Sequence, residues 1–185
     1  MSLYAATRDL HHACEAHSVG QRMTAGTITR QEWSDWLEAF RIIHLAVDPI
    51  LPQHMTRDGL LLADLSLLPT PHPSPATQAY ADGLTTQAQR EGAAYVLHGA
   101  HRRGGAMLAR TMGAAGLPTA HVVYPLPGEA EAFVKGCRER EDLAEPARKT
   151  FGALLAVMNE IELRKTNKPD ELLANQIQLP DNGKG

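Results

Sequence analysis

A histidine and a glutamate near the amino end have the spacing of a metal ligand and its supporting carboxylate. His11 and Glu15 lie four residues apart in the segment ATRDLHHACE, so a helix brings both side chains to one face. A carboxylate placed there accepts a hydrogen bond from one imidazole nitrogen and leaves the other nitrogen for a metal ion. The alternative is an ordinary His–Glu pair on the helix surface, which would stabilise the helix by roughly 0.2–0.5 kcal/mol. The spacing alone favours this alternative.

Three glycines interrupt a helical pattern in the segment YVLHGAHRRGGAML at residues 95–108. Each of Gly99, Gly104 and Gly105 costs roughly 1 kcal/mol relative to alanine in a helix interior. One interpretation is a helix that packs very closely against a neighbour, or whose backbone lies against a flat ligand. The other is a helix break with a loop at HRRGG, and composition alone gives it at least equal weight.

Two more pairs contain histidine at helical spacing. His98 and His101 could bind a metal together, but no third ligand is near them in sequence, so a solvated face beside two arginines is favoured. His44, four residues before Asp48, borders an apolar stripe, which favours a satisfied core or boundary histidine. Together with the amino-terminal pair, His44 and Asp48 could instead form a four-residue nitrogen and oxygen site for a non-haem metal.

A basic cluster in the segment FVKGCRER is typical of a solvated helix face, because glutamates alternate with its cationic residues Lys135, Arg138 and Arg140. A single arginine turned inward to a ligand carboxylate is the alternative.

Helical periodicity runs through almost the whole chain and predicts an all-α fold. Thr29 and Glu32 form a capping-box pattern before a long apolar-periodic run that prolines end. We expect Gly20 to break the first helical pattern and Gly92 to mark a joint within another. The predicted helices span residues 2–17, 29–47, 57–68, 76–112, 128–141 and 144–164. Residues 1–165 then form one domain, and 166–185 a polar C-terminal tail.

Composition excludes several classes of protein. The chain has 185 residues, of which 43% are hydrophobic and 21% charged, as in ordinary globular proteins. Its net charge of −3 argues against a nucleic-acid binder. Cys14 and Cys137 are far apart, which excludes a disulfide scaffold and predicts reduced thiols in the cytoplasm. No apolar run approaches the ~20 residues of a membrane span, and the charged start is unlike a secretory signal.

Together these segments resemble the haem oxygenase family. ATRDLHHACE is similar to the family's first helix, with its Ala-Thr pair, charged residues, an aliphatic residue, the proximal histidine and a glutamate four residues on. GTITRQEWSDWLEAFRIIHLAVDPIL resembles the second helix. YVLHGA with GGAML resembles the distal helix, whose glycines lie over the haem. AFVKGCRER and PARKTFGALLAVMNEI resemble the two C-terminal helices. The resemblance covers about residues 3–163.

The resemblance implies a single-domain multi-helix bundle that cleaves haem to biliverdin, iron and CO with O₂. Haem would be both cofactor and substrate, and electrons would come from an external reductase or ferredoxin, because the chain has no dinucleotide or iron–sulfur motif. His11 would be the axial iron ligand, oriented by Glu15, and Gly99 the distal glycine nearest the iron-bound ligand. The remaining haem contacts carried over are Arg8 and Arg138 at the propionates, and Tyr95, Ala100, Gly104, Phe151 and Met158 in the pocket.

Two departures from the family pattern concern the distal helix. Ala100 stands where the family often has Asp or Ser, which commonly helps to organise water that delivers protons. One extra residue separates Gly99 from the Gly104–Gly105 pair and predicts a bulge or shifted kink. Two alternatives to the enzyme follow: a haem-binding or sensing protein without catalysis on the same scaffold, and a non-haem di-iron oxygenase of a related helical fold.

Overall fold

The computed structural model describes residues 2–166, and helices make up most of that part of the chain. The predicted tail lies outside it, apart from its first residue, which ends the last helix. The helices are α1 (Leu3–Ala16), α2 (Ser18–Ala25), α3 (Arg30–Val47), α4 (Asp58–Leu65), α5 (Pro75–Asp82), α6 (Gln87–Ala114), α7 (Pro127–Cys137) and α8 (Ala144–Thr166). No strand occurs among the described residues, so the predicted all-α class is confirmed.

The segment after α1 is a second helix and not the break that the sequence predicts. His17 has extended backbone and caps α2 by accepting a hydrogen bond from the Val19 amide, so α2 starts at once in a new direction. A Cβ at Gly20 would lie 2.2 Å from the Cys14 carbonyl oxygen. This glycine is therefore needed for the close approach of α2 to the end of α1.

Helix α3 begins at the predicted capping box. The Thr29 hydroxyl accepts from the Glu32 amide, and the Glu32 carboxylate accepts from the Thr29 amide, which satisfies two donors at the helix start. The apolar stripe of α3 is buried in the core, with Trp33, Leu37 and Ile43 almost inaccessible to solvent. Pro49 lies in a short 3₁₀ turn that follows the helix.

The predicted helix 76–112 is two helices, and the joint lies at Gly83 rather than Gly92. A second capping box, Thr86 with Gln89, starts α6. Gly92 lies inside α6, where an added Cβ would be 2.4 Å from Cβ of Pro146 in α8. The glycine thus marks the closest approach of α6 to α8, and it does not end a helix.

The long helix α6 is the centre of the fold. It continues as α-helix past Gly99, Gly104 and Gly105, so the predicted bulge is not present and the helical interpretation of this segment is correct. It packs against α8, α7, α3 and α2. One large apolar core contains residues from all these elements. No described helix is both long and apolar enough to span a membrane.

Candidate functional site

A slot between α1 and α6 brings together most of the residues expected at a haem site. Its walls are His11 and Thr7 of α1 and the small residues Gly99 and Ala100 of α6. Helices α7 and α8 close its ends. The remaining lining residues are Tyr4, Tyr95, Val96, Val134, Arg138 and Phe151.

His11 is held at the slot from two sides. Its Nδ1 lies 3.5 Å from a carboxylate oxygen of Glu15, the contact that their spacing predicts. The ring of Phe151, from α8, meets the His11 imidazole edge-on at a centroid distance of 5.9 Å. The His11 side chain is 44% exposed. With Nδ1 facing Glu15, Nε2 is the ring nitrogen left for a ligand in the slot.

The α6 wall has little side-chain bulk. A Cβ at Gly99 would have Val134 Cγ1, at 4.0 Å, as its nearest contact, so the glycine leaves the slot open along the backbone. Gly104 and Gly105 do not line the slot. Gly105 packs against Val122, where an added Cβ would be 3.2 Å from the valine Cβ. The second part of α6 therefore has its small residues directed elsewhere, which follows from an inserted residue in an unbroken helix.

Of the cationic and apolar residues that we expect to contact haem, some line the slot and others do not. Arg138 lines the slot, and its guanidinium lies 3.9 Å from the Glu131 carboxylate. Arg8 is exposed on α1 and does not line the slot. Met158 is buried in the core and does not reach the slot either, whereas Phe151 does.

The slot is narrow and open to solvent. About 50 Å³ of it is accessible to the centre of a water molecule. Its imidazole, apolar walls and arginine suit a largely apolar ligand that carries a metal ion and an acidic group.

A second cluster of histidines lies on the opposite side of α6. His98 and His101, for which a solvated face was favoured, are fully or almost fully buried, so that prediction is wrong. His44 of α3 packs against both rings, at centroid distances of 5.4 Å and 5.6 Å. His121 packs against His101 at 5.3 Å. We call His44, His98, His101 and His121 the buried histidine cluster.

Each ring at the edge of the buried histidine cluster has a partner on Nδ1. The partner of His44 is Asp48 at 2.9 Å, that of His98 is the Tyr124 hydroxyl at 2.6 Å, and that of His121 is Asp64 at 2.6 Å. Spacing predicts the contact of His44 with Asp48, and full burial makes His44 a core histidine, one of the two positions expected for it.

Burial controls the charge of these groups. It lowers the pKa of His44 despite the hydrogen bond with Asp48, and it lowers the pKa values of His98 and His101 well below 6.5. Burial alone would raise the pKa of Asp64, but hydrogen bonds from His121 and two backbone amides outweigh it and lower that pKa. The three imidazoles are therefore neutral at pH 7, and the Asp64 carboxylate is ionised.

The four-residue site of the di-iron hypothesis does not form. His11 and Glu15 lie at the slot, while His44 and Asp48 belong to the buried histidine cluster across α6. A different group of three possible metal ligands does form in the described part of the chain. Its ligand atoms all lie within 4.8 Å of one another, and its members are His11, His12 and Glu15. Since Glu15 and His12 are exposed, this group is a surface feature at the edge of the slot.

Comparisons with known proteins give a result at the level of structure. No protein-family model matches the sequence, and no curated protein matches it. The haem oxygenase from Leptospira interrogans has a TM-score of 0.74 and 19% identity over 86% of this chain and 100% of its own. Heme oxygenase-1 from the cyanobacterium Synechocystis sp. PCC6803, solved in complex with haem, has a TM-score of 0.76 and 15% identity over 94% of this chain and 96% of its own. The chain therefore has the haem oxygenase fold.

Proposed function

We propose that this protein binds haem in the slot between α1 and α6 and cleaves it to biliverdin, iron and CO with O₂ and an external electron donor. The observation that carries the proposal is the position of His11. It lines a narrow slot, with Glu15 at its Nδ1 and a wall of glycine and alanine opposite. The fold shared with a haem-bound neighbour supports the same site.

The haem iron would supply the oxygen activation, and the protein residues bind, orient and control water. His11 would hold the haem iron through Nε2. Glu15, 3.5 Å from Nδ1, would accept a hydrogen bond from the Nδ1–H group, which would keep the imidazole in the tautomer that binds metal and raise its basicity. Phe151 restricts the rotation of the ring. An imidazole ligand held in this way lacks the strong electron donation of a thiolate.

The other walls would set the orientation of the macrocycle. Arg138 is the lining cation and would pair with a propionate by charge-assisted hydrogen bonds. Tyr95, Val96 and Val134 supply apolar surface. Gly99 would allow the α6 backbone to lie close to the haem, so backbone groups and water would be the polar partners available there. Electrons would come from a separate reductase or ferredoxin.

Titration with hemin tests the binding step. We expect the purified chain to take up about one hemin, with a Soret band typical of an imidazole-ligated haem. His11→Ala should abolish that spectrum or weaken it strongly. His12→Ala is the matched control, because His12 is the next residue of the same helix and is exposed. Identical spectra for wild type and His11→Ala would rule out His11 as the ligand.

Aerobic turnover tests the chemistry. With a reductase or ascorbate under air, the haem complex should lose its Soret band and gain bilin absorption. A specific observation favours the second candidate, a non-catalytic haem-binding or sensing protein: Ala100 lines the slot, and its methyl group cannot hold a water molecule. A Soret band that persists through reduction and reoxidation would support that second function and overturn the first.

A further inference from the structure

The inner nitrogens of the buried histidine cluster have no protein partner. Within the described residues, no hydrogen bond reaches Nε2 of His44, Nε2 of His98 or either ring nitrogen of His101, and all four atoms are buried. Leaving a buried polar group unsatisfied costs about 1–3 kcal/mol. Four such atoms on three neighbouring rings therefore require a common explanation.

The outer nitrogens are arranged as in metal-binding histidines. Asp48 contacts Nδ1 of His44, and the Tyr124 hydroxyl contacts Nδ1 of His98. A histidine ligand commonly donates its second ring N–H to a carboxylate or another oxygen, which fixes the tautomer and directs the remaining lone pair at the metal. The oxygens lie outside the cluster, and the unsatisfied nitrogens belong to the three rings that contact one another.

Charged residues of both signs lie at the edge of the cluster. Asp48 and Asp64 contact His44 and His121, and Arg57 is the nearby buried cation. The Arg57 guanidinium lies 3.7 Å from the centroid of the Tyr124 ring and donates to the backbone carbonyls of Met55, His54 and Val123. Among the described residues, Asp48 and Asp64 are the two carboxylates that contact cluster histidines, and both do so through the outer nitrogens.

We propose that His44, His98 and His101 form a buried site for one divalent transition-metal ion of the imidazole-binding class, such as Zn²⁺ or Fe²⁺. The ring centroids are 5.4, 5.6 and 6.3 Å apart. Nitrogens bound at about 2.0–2.1 Å from one ion lie at most about 4 Å from one another. In the described structure the three rings do not all have nitrogens within 4.8 Å of one another, so they turn toward a common point when the ion binds.

This site is separate from the proposed haem slot, and its test needs no haem. The experiment uses the full chain with the His12→Ala substitution, which removes one member of the exposed group His11, His12 and Glu15. The protein is treated with chelator, loaded with Co²⁺ or Zn²⁺ and freed of unbound ion by gel filtration. We expect about one ion per chain by mass spectrometry. The Co²⁺ protein should show the visible absorption bands of an ion with a low coordination number.

His101→Leu in the same background separates a ligand from a structural residue. Both His101 nitrogens lack a protein partner, so an apolar side chain of similar volume should leave the metal-free protein as stable as before or more stable. The same substitution should weaken metal binding at least about tenfold and abolish the rise in Tm that the metal produces. His72→Ala, in a histidine whose side chain is 49% exposed and lies outside the cluster, is the matched control and should change neither the metal affinity nor the rise in Tm.

Three results would overturn the proposal: metal well below one ion per chain in the His12→Ala protein, undiminished binding in the His101→Leu protein, or loss of stability by His101→Leu in the metal-free protein. If His101→Leu does not fold, pulsed electron paramagnetic resonance of Cu²⁺ bound to the His12→Ala protein decides the question. Two or more coordinated imidazoles support the site, and one or none excludes it.

Discussion

The edge-on contact between Phe151 and His11, with ring centroids 5.9 Å apart, joins the last helix to the first across the slot. These residues are 140 positions apart, so the orientation of the candidate iron ligand depends on how α8 packs on α1. Phe151→Leu should therefore keep the fold but free the imidazole to rotate. We expect an increase of about tenfold in the Kd for hemin, by analogy with loss of other ligand-orienting groups, measured by absorbance titration. An unchanged Kd would show that the ring does not position His11.

Glu15→Gln removes the charge that faces Nδ1 of His11 while it keeps the size of the side chain. An amide is a weaker acceptor for the imidazole N–H, so the histidine becomes a poorer ligand and the affinity for hemin should fall by up to about tenfold, because Glu15 is exposed. Glu145→Gln is the control. Glu145 is also an exposed glutamate with an i, i+4 partner, Lys149 at 2.9 Å, but it lies away from the slot. Equal effects of the two substitutions would argue for a non-specific charge effect.

Ala100→Ser restores a hydroxyl at a position that lines the slot. If the proposed function is correct, the hydroxyl can hold a water molecule near the reacting group and supply protons, and such proton transfer contributes up to about 10²–10⁴-fold in rate. We expect faster bilin formation with little change in hemin affinity. Gly152→Ser on α8, where an added Cβ contacts nothing within 4 Å, is the control for adding a hydroxyl elsewhere. A slower Ala100→Ser protein would indicate that the methyl group is needed for packing on the macrocycle.

Gly92→Ala should destabilise the whole domain. The added Cβ would lie 2.4 Å from the Cβ of Pro146 and 3.1 Å from the Ala147 nitrogen, so α6 and α8 must separate. We expect a loss of roughly 1–3 kcal/mol in the free energy of unfolding, typical of overpacking. Gly152→Ala should have the opposite sign, with a gain of up to about 1 kcal/mol, because nothing opposes its Cβ and alanine favours a helix. Urea denaturation measures both values.

Stability of the metal-free protein should decrease as the pH falls below 6.5. Burial holds the pKa values of His44, His98 and His101 below the ordinary 6.5, so the unfolded chain binds more protons than the folded one below that pH. Above pH 6.5 the free energy of unfolding has its full value. Below that pH, each buried histidine lowers it by up to about 1.4 kcal/mol per pH unit. His101→Leu should make the decrease less steep. Equal slopes for the two proteins would contradict this assignment.

Local sequence patterns determine most of the helices of this protein. The capping box of Thr29 and Glu32 and the proline after α3 act within a few residues, so the ends of that helix follow from sequence alone. The contact of His11 with Glu15 is equally local, because helix geometry places positions i and i+4 side by side. The local pattern predicts helix breaks at Gly20 and Gly92, and that prediction is wrong. Both glycines allow close contact with another helix, and only the packed structure shows which backbone approaches them.

The buried histidine cluster shows what depended on tertiary structure. His98 and His101 were expected to face solvent because no third ligand is near them in sequence, yet α3 supplies His44 and the turn after α6 supplies His121. Burial and long-range contact are properties of packing, and no local pattern encodes them. The sequence by itself determined which residues could bind a metal or a flat ligand and on which helices they lie. The tertiary structure decided which of them meet, because packing brings together residues that are far apart in the chain and takes their side chains out of water.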